Sequence, residues 1–90
     1  MNPDEIIKKV EEFLINKNTQ YDSGSIEHEG LRENYQIAGE DAKDYLYVSY
    51  NVLTDKTNKY STETYFVFIE KETLKISYHI GPQLFEKIEE

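Results

Sequence analysis

Residues 45–80 contain three apolar segments separated by polar turns, and this feature restricts the fold more than any other part of the chain. The segments are Tyr45–Leu53, Tyr65–Ile69 and Leu74–Ile80. The first and the third alternate in the way that places successive side chains on opposite faces of a strand. Because the polar connections at 54–59 and 70–73 are short, the pattern predicts an antiparallel meander of residues 45–53, 60–70 and 74–80.

The middle segment is apolar at every position from Tyr65 to Ile69. This is typical of an interior strand that is buried on both sides, or of a strand with one side covered by a partner. In the next strand, Ile76 and Tyr78 share the apolar face with Leu74 and Ile80. His79 falls on the opposite, polar side, where we expect an exposed histidine.

Residues 2–17 show the spacing of an amphipathic helix. Asn2 is a favourable N-cap, Pro3 fits the first helical position, and Glu5 completes a capping box with Asn2. Residues 18–44 carry few signals beyond a short alternating segment at 35–37. Pro82, after Gly81, stops the last strand and starts a short C-terminal helix. The apolar residues of the two helices are Ile6, Ile7, Val10, Phe13, Leu14 and Ile15 in the first, and Leu84, Phe85 and Ile88 in the second.

The apolar stripe of the first helix must be buried, and the meander offers the only large apolar surface for it. We therefore expect a single α+β domain over residues 1–90. An N-terminal helix packs on one face of an antiparallel sheet of three to five strands, and a short C-terminal helix follows. The expected core residues are Ile6, Val10, Phe13, Leu14, Leu46, Val48, Val52, Phe66, Phe68, Leu74, Ile76 and Ile80.

The chain has 18 acidic and 10 basic residues, a formal net charge of −8, and no cysteine. With no cluster of Lys or Arg, this balance argues against direct nucleic-acid binding and suits a basic protein partner. Residues 1–20 lack the charged start and apolar run of a signal peptide, and no segment has the roughly 20 apolar residues of a membrane span. We expect a cytoplasmic protein, or an extracytoplasmic one if the native gene carries a leader that this sequence lacks.

The titratable residues form no catalytic or metal-binding pattern. Glu27-His28-Glu29 offers oxygen and nitrogen ligands, but no defined spacing leads to a third ligand position. The serines have no recognisable base nearby, and the four glycines are dispersed rather than grouped in a phosphate-binding loop. We expect no enzymatic activity, no metal and no cofactor.

The aromatic second face of the sheet gives the best positive indication of function. In the middle strand Tyr65, Val67 and Ile69 oppose Phe66 and Phe68, and one of these two sets lies on the side away from the first helix. Tyr45 and Tyr47 point away from the Leu46 and Val48 face, and tyrosine is enriched at interfaces because its ring combines apolar area with a polar tip. The alternative is that the terminal helix covers this second face. The same face could also join two copies of the chain. The expected partner-binding residues are Tyr45, Tyr47, Tyr65, Glu40, Asp41 and Asp44.

Two stretches carry a family resemblance. Met-x-x-x-Glu5-Ile-Ile-Lys-Lys-x-x-Glu-Phe-Leu14 and the later Tyr65-Phe-Val-Phe-Ile-Glu-Lys-Glu-Thr-Leu-Lys-Ile76 resemble small cystatin-like or nuclear-transport-factor-like domains of low-GC bacteria. In these families a helix precedes a meander, and Gly is usual where this chain has Leu74. Such domains include toxin-immunity proteins and extracytoplasmic lipoprotein domains, so the resemblance implies a binding role without transferring functional residues.

The leading hypothesis is a small acidic binding protein, bacterial or phage in origin, that neutralises or inhibits a basic protein partner. Immunity proteins and mobile-element inhibitors are of this type. One alternative is a cystatin-like extracytoplasmic module of a bacterial lipoprotein. Another is a protein with a pocket for a small ligand between helix and sheet.

Overall fold

The computed structural model describes residues 2–37, 39–54, 57 and 61–89. Within these ranges one helix packs on a five-stranded antiparallel sheet whose strands pair in sequence order, so that β1 and β5 form the edges. The predicted α+β class and the helix-on-sheet arrangement are confirmed. Part of the turn predicted at 54–59 lies outside the described residues. The elements are α1 (Pro3–Asn16), a 3-10 turn (Ser23–Ser25), β1 (Glu27–Tyr35), β2 (Lys43–Leu53), β3 (Thr62–Glu70), β4 (Ile76–Gly81) and β5 (Leu84–Lys87).

Helix α1 begins and ends where its sequence predicts. The side-chain oxygen of Asn2 accepts a hydrogen bond from the backbone N–H of Glu5 at 2.9 Å, which satisfies one donor of the first turn. Beyond the helix, Asn18 reverses the chain in the left-handed region at φ 55°. Ile15, expected to widen the apolar stripe, is instead 64 % exposed on the outer side. The buried residues of α1 are Ile6, Val10 and Leu14.

The core beneath α1 is built from alternate residues of the central strands. In this antiparallel sheet, Val48 pairs with Val67 and Leu46 with Ile69, and directly opposed residues share a face. Phe68 pairs with Tyr47 and therefore lies on the opposite face. Of the two sets of side chains in this strand, Tyr65, Val67 and Ile69 face α1, and Phe66 and Phe68 lie on the side away from it. Both faces of residues 65–69 are apolar, so composition alone does not say which face meets α1.

A β-bulge in β4 changes the face of its second half. Ile69 pairs with Ile76, but the adjacent Phe68 pairs with Tyr78, which leaves Ser77 as an extra residue. One extra residue moves all later side chains to the other face. Ile76 therefore packs under the helix and Tyr78 on the opposite face. His79, expected to be exposed, is buried beneath α1 with 3 % of its surface accessible.

The predicted C-terminal helix is not formed, because residues 84–87 are the edge strand β5. Gly81 pairs with Leu84, so Pro82 and Gln83 make a two-residue turn rather than a helix start. At Gly81 the ring of Tyr65 lies against the backbone: an added Cβ would come within 2.3 Å of its ring carbons. The aromatic ring thus occupies the space that a side chain at position 81 would need.

The predicted core is correct for half of its members. Tyrosines of the sheet supply much of the remaining buried volume, because large rings bury the most area per residue. The predicted residues that are buried are Ile6, Val10, Leu14, Val48, Phe68 and Ile76, whereas Phe13, Leu46, Val52, Phe66, Leu74 and Ile80 are only partly buried. The buried apolar residues that were not predicted are Ile37, Tyr45, Tyr50, Val67, Ile69 and Tyr78.

Leu74 closes the β3–β4 turn in a backbone conformation that favours glycine. Its φ is 60°, and its N–H donates to the carbonyl of Glu70 at 2.8 Å. A left-handed conformation costs a residue with a Cβ atom about 1–2 kcal/mol.

We predict that Leu74→Gly is more stable than Leu74→Ala by about 1 kcal/mol, although glycine normally costs stability relative to alanine. Both variants lose the half-buried side chain, but only glycine relieves the backbone strain. Urea denaturation of the two proteins measures the difference. An alanine variant as stable as the glycine variant would show that the turn is unstrained.

Candidate functional site

The sheet face opposite α1 carries a continuous group of aromatic and apolar side chains, and we call it the open face. No helix or second sheet among the described residues covers it. Ile37, in the segment after β1, folds back over one end and is 5 % exposed. The open face consists of Arg32 and Tyr35 on β1, Tyr45 and Tyr47 on β2, Phe66 and Phe68 on β3, Tyr78 and Ile80 on β4, and Phe85 on β5.

Phe68 lies at the centre of the aromatic packing. The ring of Tyr47 stacks beside it at 5.8 Å between centroids, and that of Tyr35 at 5.9 Å. Tyr45 meets Phe68 edge-on at 6.0 Å. Offset-stacked and edge-on pairs at these separations are favourable for rings. The packing therefore fixes the orientation of Tyr35 and Tyr47, which are the partly exposed members of the group.

The guanidinium of Arg32 lies over this stack. Its Cζ atom is 5.2 Å from the ring centroid of Tyr35 and 5.1 Å from that of Tyr47. A guanidinium over an aromatic face gains cation–π attraction and keeps its N–H donors pointing outward along its edges. Arg32 is thus held on the open face while remaining exposed to solvent.

Exposure differs among the residues of the open face. Tyr45 and Tyr78 are 1 % and 2 % exposed, and burial is the main cause of the raised pKa of each hydroxyl. Phe66 and Ile80 are partly buried. Phe85 packs beside Tyr78 at 5.6 Å, yet 55 % of its surface is exposed. The part of the face available to a partner therefore lies around Tyr47, Phe66, Ile80 and Phe85.

Two ion pairs border the open face near Tyr45. Lys43 contacts Glu70 at 2.7 Å, and Lys87 contacts Glu40. The hydrogen bond from the lysine in each pair lowers the pKa of the carboxyl and raises the pKa of the ammonium. These surface pairs contribute little stability, but they neutralise the two lysines locally.

An acidic cleft lies at the same end of the sheet, between the β1–β2 and β3–β4 connections. Its volume is about 350 Å³, and Asp44, Glu70 and Glu72 line it together with Lys43. The Asp44 side chain accepts a hydrogen bond from the backbone N–H of Asn34 at 2.8 Å, which fixes its position. Because Lys43 already pairs with Glu70, the cleft presents more negative than positive charge.

The structure brings together only part of the predicted partner-binding set. Tyr47 lies on the open face as expected, and Glu40 and Asp44 lie at its acidic end, with Asp41 exposed between them. Tyr45 is on the same face, but the expectation that it is partly exposed is wrong, since it is a core residue.

Tyr65 lies on the other face of the sheet, so it cannot act together with Tyr47. Its ring stacks on Tyr50 at 5.4 Å and covers Gly81. The open face also contains residues that the sequence did not single out. The sequence predicts a helix around Phe85, and Arg32 carries no periodic signal. A two-residue turn at Pro82 was the one indication that could have placed Phe85 on a strand.

Glu27, His28 and Glu29 do not converge on a ligand. His28 pairs with Val48 on the side of α1, whereas Glu29 accepts a hydrogen bond from Ser49 at 2.7 Å. In the described part of the chain, no group of three or more His, Cys, Asp or Glu side chains is arranged to hold a metal ion.

Comparisons of this chain with protein-family models, with curated proteins and with solved structures find no match. Among the residues that the structure describes, no helix is both long and apolar enough to cross a bilayer. The geometry of the open face is therefore the basis on which a function can be argued.

We predict that Tyr45→Ser and Tyr47→Ser differ strongly in their effect on folding. Tyr45→Ser removes a buried ring and should cost roughly 3–5 kcal/mol, whereas Tyr47→Ser removes a partly exposed ring and should cost about 1–2 kcal/mol. The free energy of unfolding of each variant, measured in urea, gives the comparison. Equal losses would mean that the two tyrosines are not separated into core and surface.

Proposed function

We propose that this chain is a small, acidic, non-enzymatic binding protein whose open face docks on a basic protein partner and neutralises it. The observation that carries the proposal is the set of partly exposed apolar residues on a sheet face without a second layer among the described residues. Exposed apolar patches on small soluble domains commonly mark interaction sites. The residues in question are Tyr47, Phe66, Ile80 and Phe85.

The composition of the open face supports a protein partner. Tyr and Arg are, with Trp, the residue types enriched at interface positions whose truncation costs the most binding energy. The Cζ atom of Arg32 lies 5.1 Å from the ring centroid of Tyr47, and stacking on Phe68 restrains the Tyr47 ring. Restrained side chains lose less entropy on binding, so this pair is suited to anchor a partner.

The charge distribution supports a partner that is basic overall. The net charge of −8 attracts cations at long range. Close to the open face, Lys43 and Lys87 are already paired with carboxylates, while Asp41 and Glu72 stay exposed. Carboxylates beside an aromatic patch favour a partner that inserts Lys or Arg at the acidic cleft and apolar groups over Phe66 and Phe85.

Among basic proteins, toxins and nucleic-acid enzymes are the class for which neutralisation by a small acidic protein is useful. We therefore place the chain with immunity proteins or with inhibitors carried by phages and mobile elements, acting in the cytoplasm. Occupation of the partner's own active surface, rather than chemistry by this chain, would be the mechanism of inhibition.

We predict that the double variant Tyr47→Ser, Phe85→Ser loses partner binding by at least roughly 30-fold while remaining folded, because two partly exposed anchors are removed. The matched control is Ile15→Ser, which removes a side chain that is 64 % exposed on the outer side of α1. Tagged wild-type, double-variant and control proteins are used to capture partners from the native host, and mass spectrometry identifies what each retains. The captured protein is then assayed for its own activity with and without added chain.

The proposal requires a basic captured protein that is retained by the wild type and the Ile15→Ser control, lost by the double variant, and inhibited by the chain. Equal retention by all three proteins would exclude the open face. A captured protein that is acidic, or whose activity does not change, would contradict neutralisation of a basic partner.

We further predict that the association rate with the captured partner falls about 10-fold between low and high salt. Salt shortens the reach of the negative charge to about 10 Å at 0.1 M, and steering depends on that reach. Stopped-flow or surface-based kinetics provide the rates. A rate independent of salt would assign recognition to the apolar residues alone.

A further inference from the structure

His79 is a buried histidine that the open face does not use. It points from β4 toward α1, with 3 % of its surface exposed, and the ring of Phe13 meets it edge-on at 5.5 Å. Its Nε2 atom is hydrogen-bonded to the hydroxyl of Tyr50, which is fully buried. A titratable ring this deep in a small domain is costly unless its polar atoms are satisfied.

The second ring nitrogen of His79 faces β5. Nδ1 lies 3.5 Å from Oε1 of Glu86, and the Glu86 carboxylate is paired with the ammonium of Lys17 at 2.9 Å. An ionised carboxylate can only accept a hydrogen bond. The contact between Nδ1 and Oε1 does not have hydrogen-bond geometry, but the adjacent carboxylate favours the neutral tautomer with its proton on Nδ1, in which Nε2 accepts from the Tyr50 hydroxyl.

The cluster connects four elements around one imidazole. The charged and titratable groups that face His79 are Lys17 at the end of α1, Tyr50 on β2, Tyr65 on β3 and Glu86 on β5. Tyr65 in turn donates from its hydroxyl to Glu63 at 3.3 Å.

Strand β5 carries side chains on both the cluster and the open face. Its residues alternate, so Leu84 and Glu86 face the α1 side whereas Phe85 and Lys87 face the other. The strand has only four residues and one neighbouring strand, which places it among the least stable parts of the sheet. Side-chain contacts from Glu86 to Lys17 and His79 therefore hold the same strand that presents Phe85.

We propose that Tyr50, His79, Glu86 and Lys17 form an acid-released latch that keeps β5, and with it Phe85, in the open face. Protonation of Nε2 would place a positive charge in a buried site and turn the acceptor of the Tyr50 hydroxyl into a donor. When β5 separates, His79 becomes hydrated and takes up the proton readily. Acid therefore increases the population of the form in which β5 is detached. This inference rests on the proposed function for its biological meaning: acidification would release the partner.

The direction of the effect follows from the environment of His79. Burial lowers the pKa of His79, and the neighbouring Glu86 carboxylate opposes this effect only in part. A histidine with a lowered pKa in the closed form stabilises that form above its ordinary pKa near 6.5. This contribution is lost as the pH falls through the lowered value. Glu86 remains ionised in this range, because the pairing with Lys17 lowers its own pKa.

Amide hydrogen exchange followed by NMR tests the latch without any partner. It compares the wild type, His79→Gln and the matched control His28→Gln, which removes the other histidine of the chain. Between about pH 7.5 and about pH 5.5, and after correction for intrinsic exchange, protection of the β5 amides and of Ile88 should fall several-fold relative to β2 and β3. The fall should persist in His28→Gln and vanish in His79→Gln.

A titration of the wild type alone gives a second measurement if His79→Gln does not fold. The Cε1 resonance of His79 should change with pH, and the midpoint of this change should lie at a lower pH than for a solvent-exposed histidine. The loss of β5 protection should follow the same pH dependence. Unchanged β5 protection in the wild type, or the same loss of protection in His79→Gln, would overturn the proposal.

Failure of the latch and failure of the proposed function give different experimental results. If the latch is absent but the open face binds, capture of the partner at about pH 7.5 proceeds and does not weaken on acidification. If the open face binds nothing, the exchange experiment still decides whether His79 controls β5.

Discussion

The fold depends on burying the centre of β3 on both sides. Val67, Phe68 and Ile69 are consecutive and all buried, although consecutive residues of a strand point to opposite faces. Helix α1 covers the side of Val67 and Ile69. The chain has no second helix among the described residues for Phe68, so the tyrosines of β1, β2 and β4 cover it instead, together with Ile37. Ninety residues thus provide two small cores with the sheet between them.

Because side chains of the sheet itself cover Phe68, the open face contributes to folding and also remains accessible to another protein. Large rings bury enough area to shield Phe68 while still presenting their outer edges to solvent. Tyr45 and Tyr78 supply the buried part, and Tyr47 and Phe85 the accessible part. A face covered by a second helix would have been sealed. A face covered by side chains of the sheet itself stays within reach of another protein.

The sequence predicted those parts of the fold whose signals are local. The cap at Asn2 and the stripe of α1 depend on neighbouring residues within one helix, and the alternation in β2 depends on one strand. The prediction from sequence failed where one extra residue changes the face on which all later side chains of a strand lie. Ser77 carries no sign of being an extra residue, so the bulge that buries His79 could not be read from the alternation of β4.

β1 was missed for a related reason. It is interrupted by irregular register near Gly30, at φ 132°, and near Asn34, at φ 51°, and most of its residues are exposed. Neither helical nor strand periodicity survives such interruptions. The candidate site was therefore predictable only as an aromatic face away from the helix. The residues that make up this face were not predictable. The position of Phe85 depends on the turn at Pro82, and the face on which Tyr65 lies depends on how β3 pairs with its neighbours.

The contact between Tyr65 and Gly81 links two residues that are far apart in the chain but occupy one volume. An added Cβ at position 81 would overlap the Tyr65 ring, at 2.3 Å. Position 81 cannot gain a side chain while the Tyr65 ring stays in place. Where this fold has diverged, glycine at 81 should accompany an aromatic residue at 65, and a larger residue at 81 a small one at 65. The residue types at positions 65 and 81 would then be correlated among related sequences, and this correlation would indicate that β3 pairs with β4.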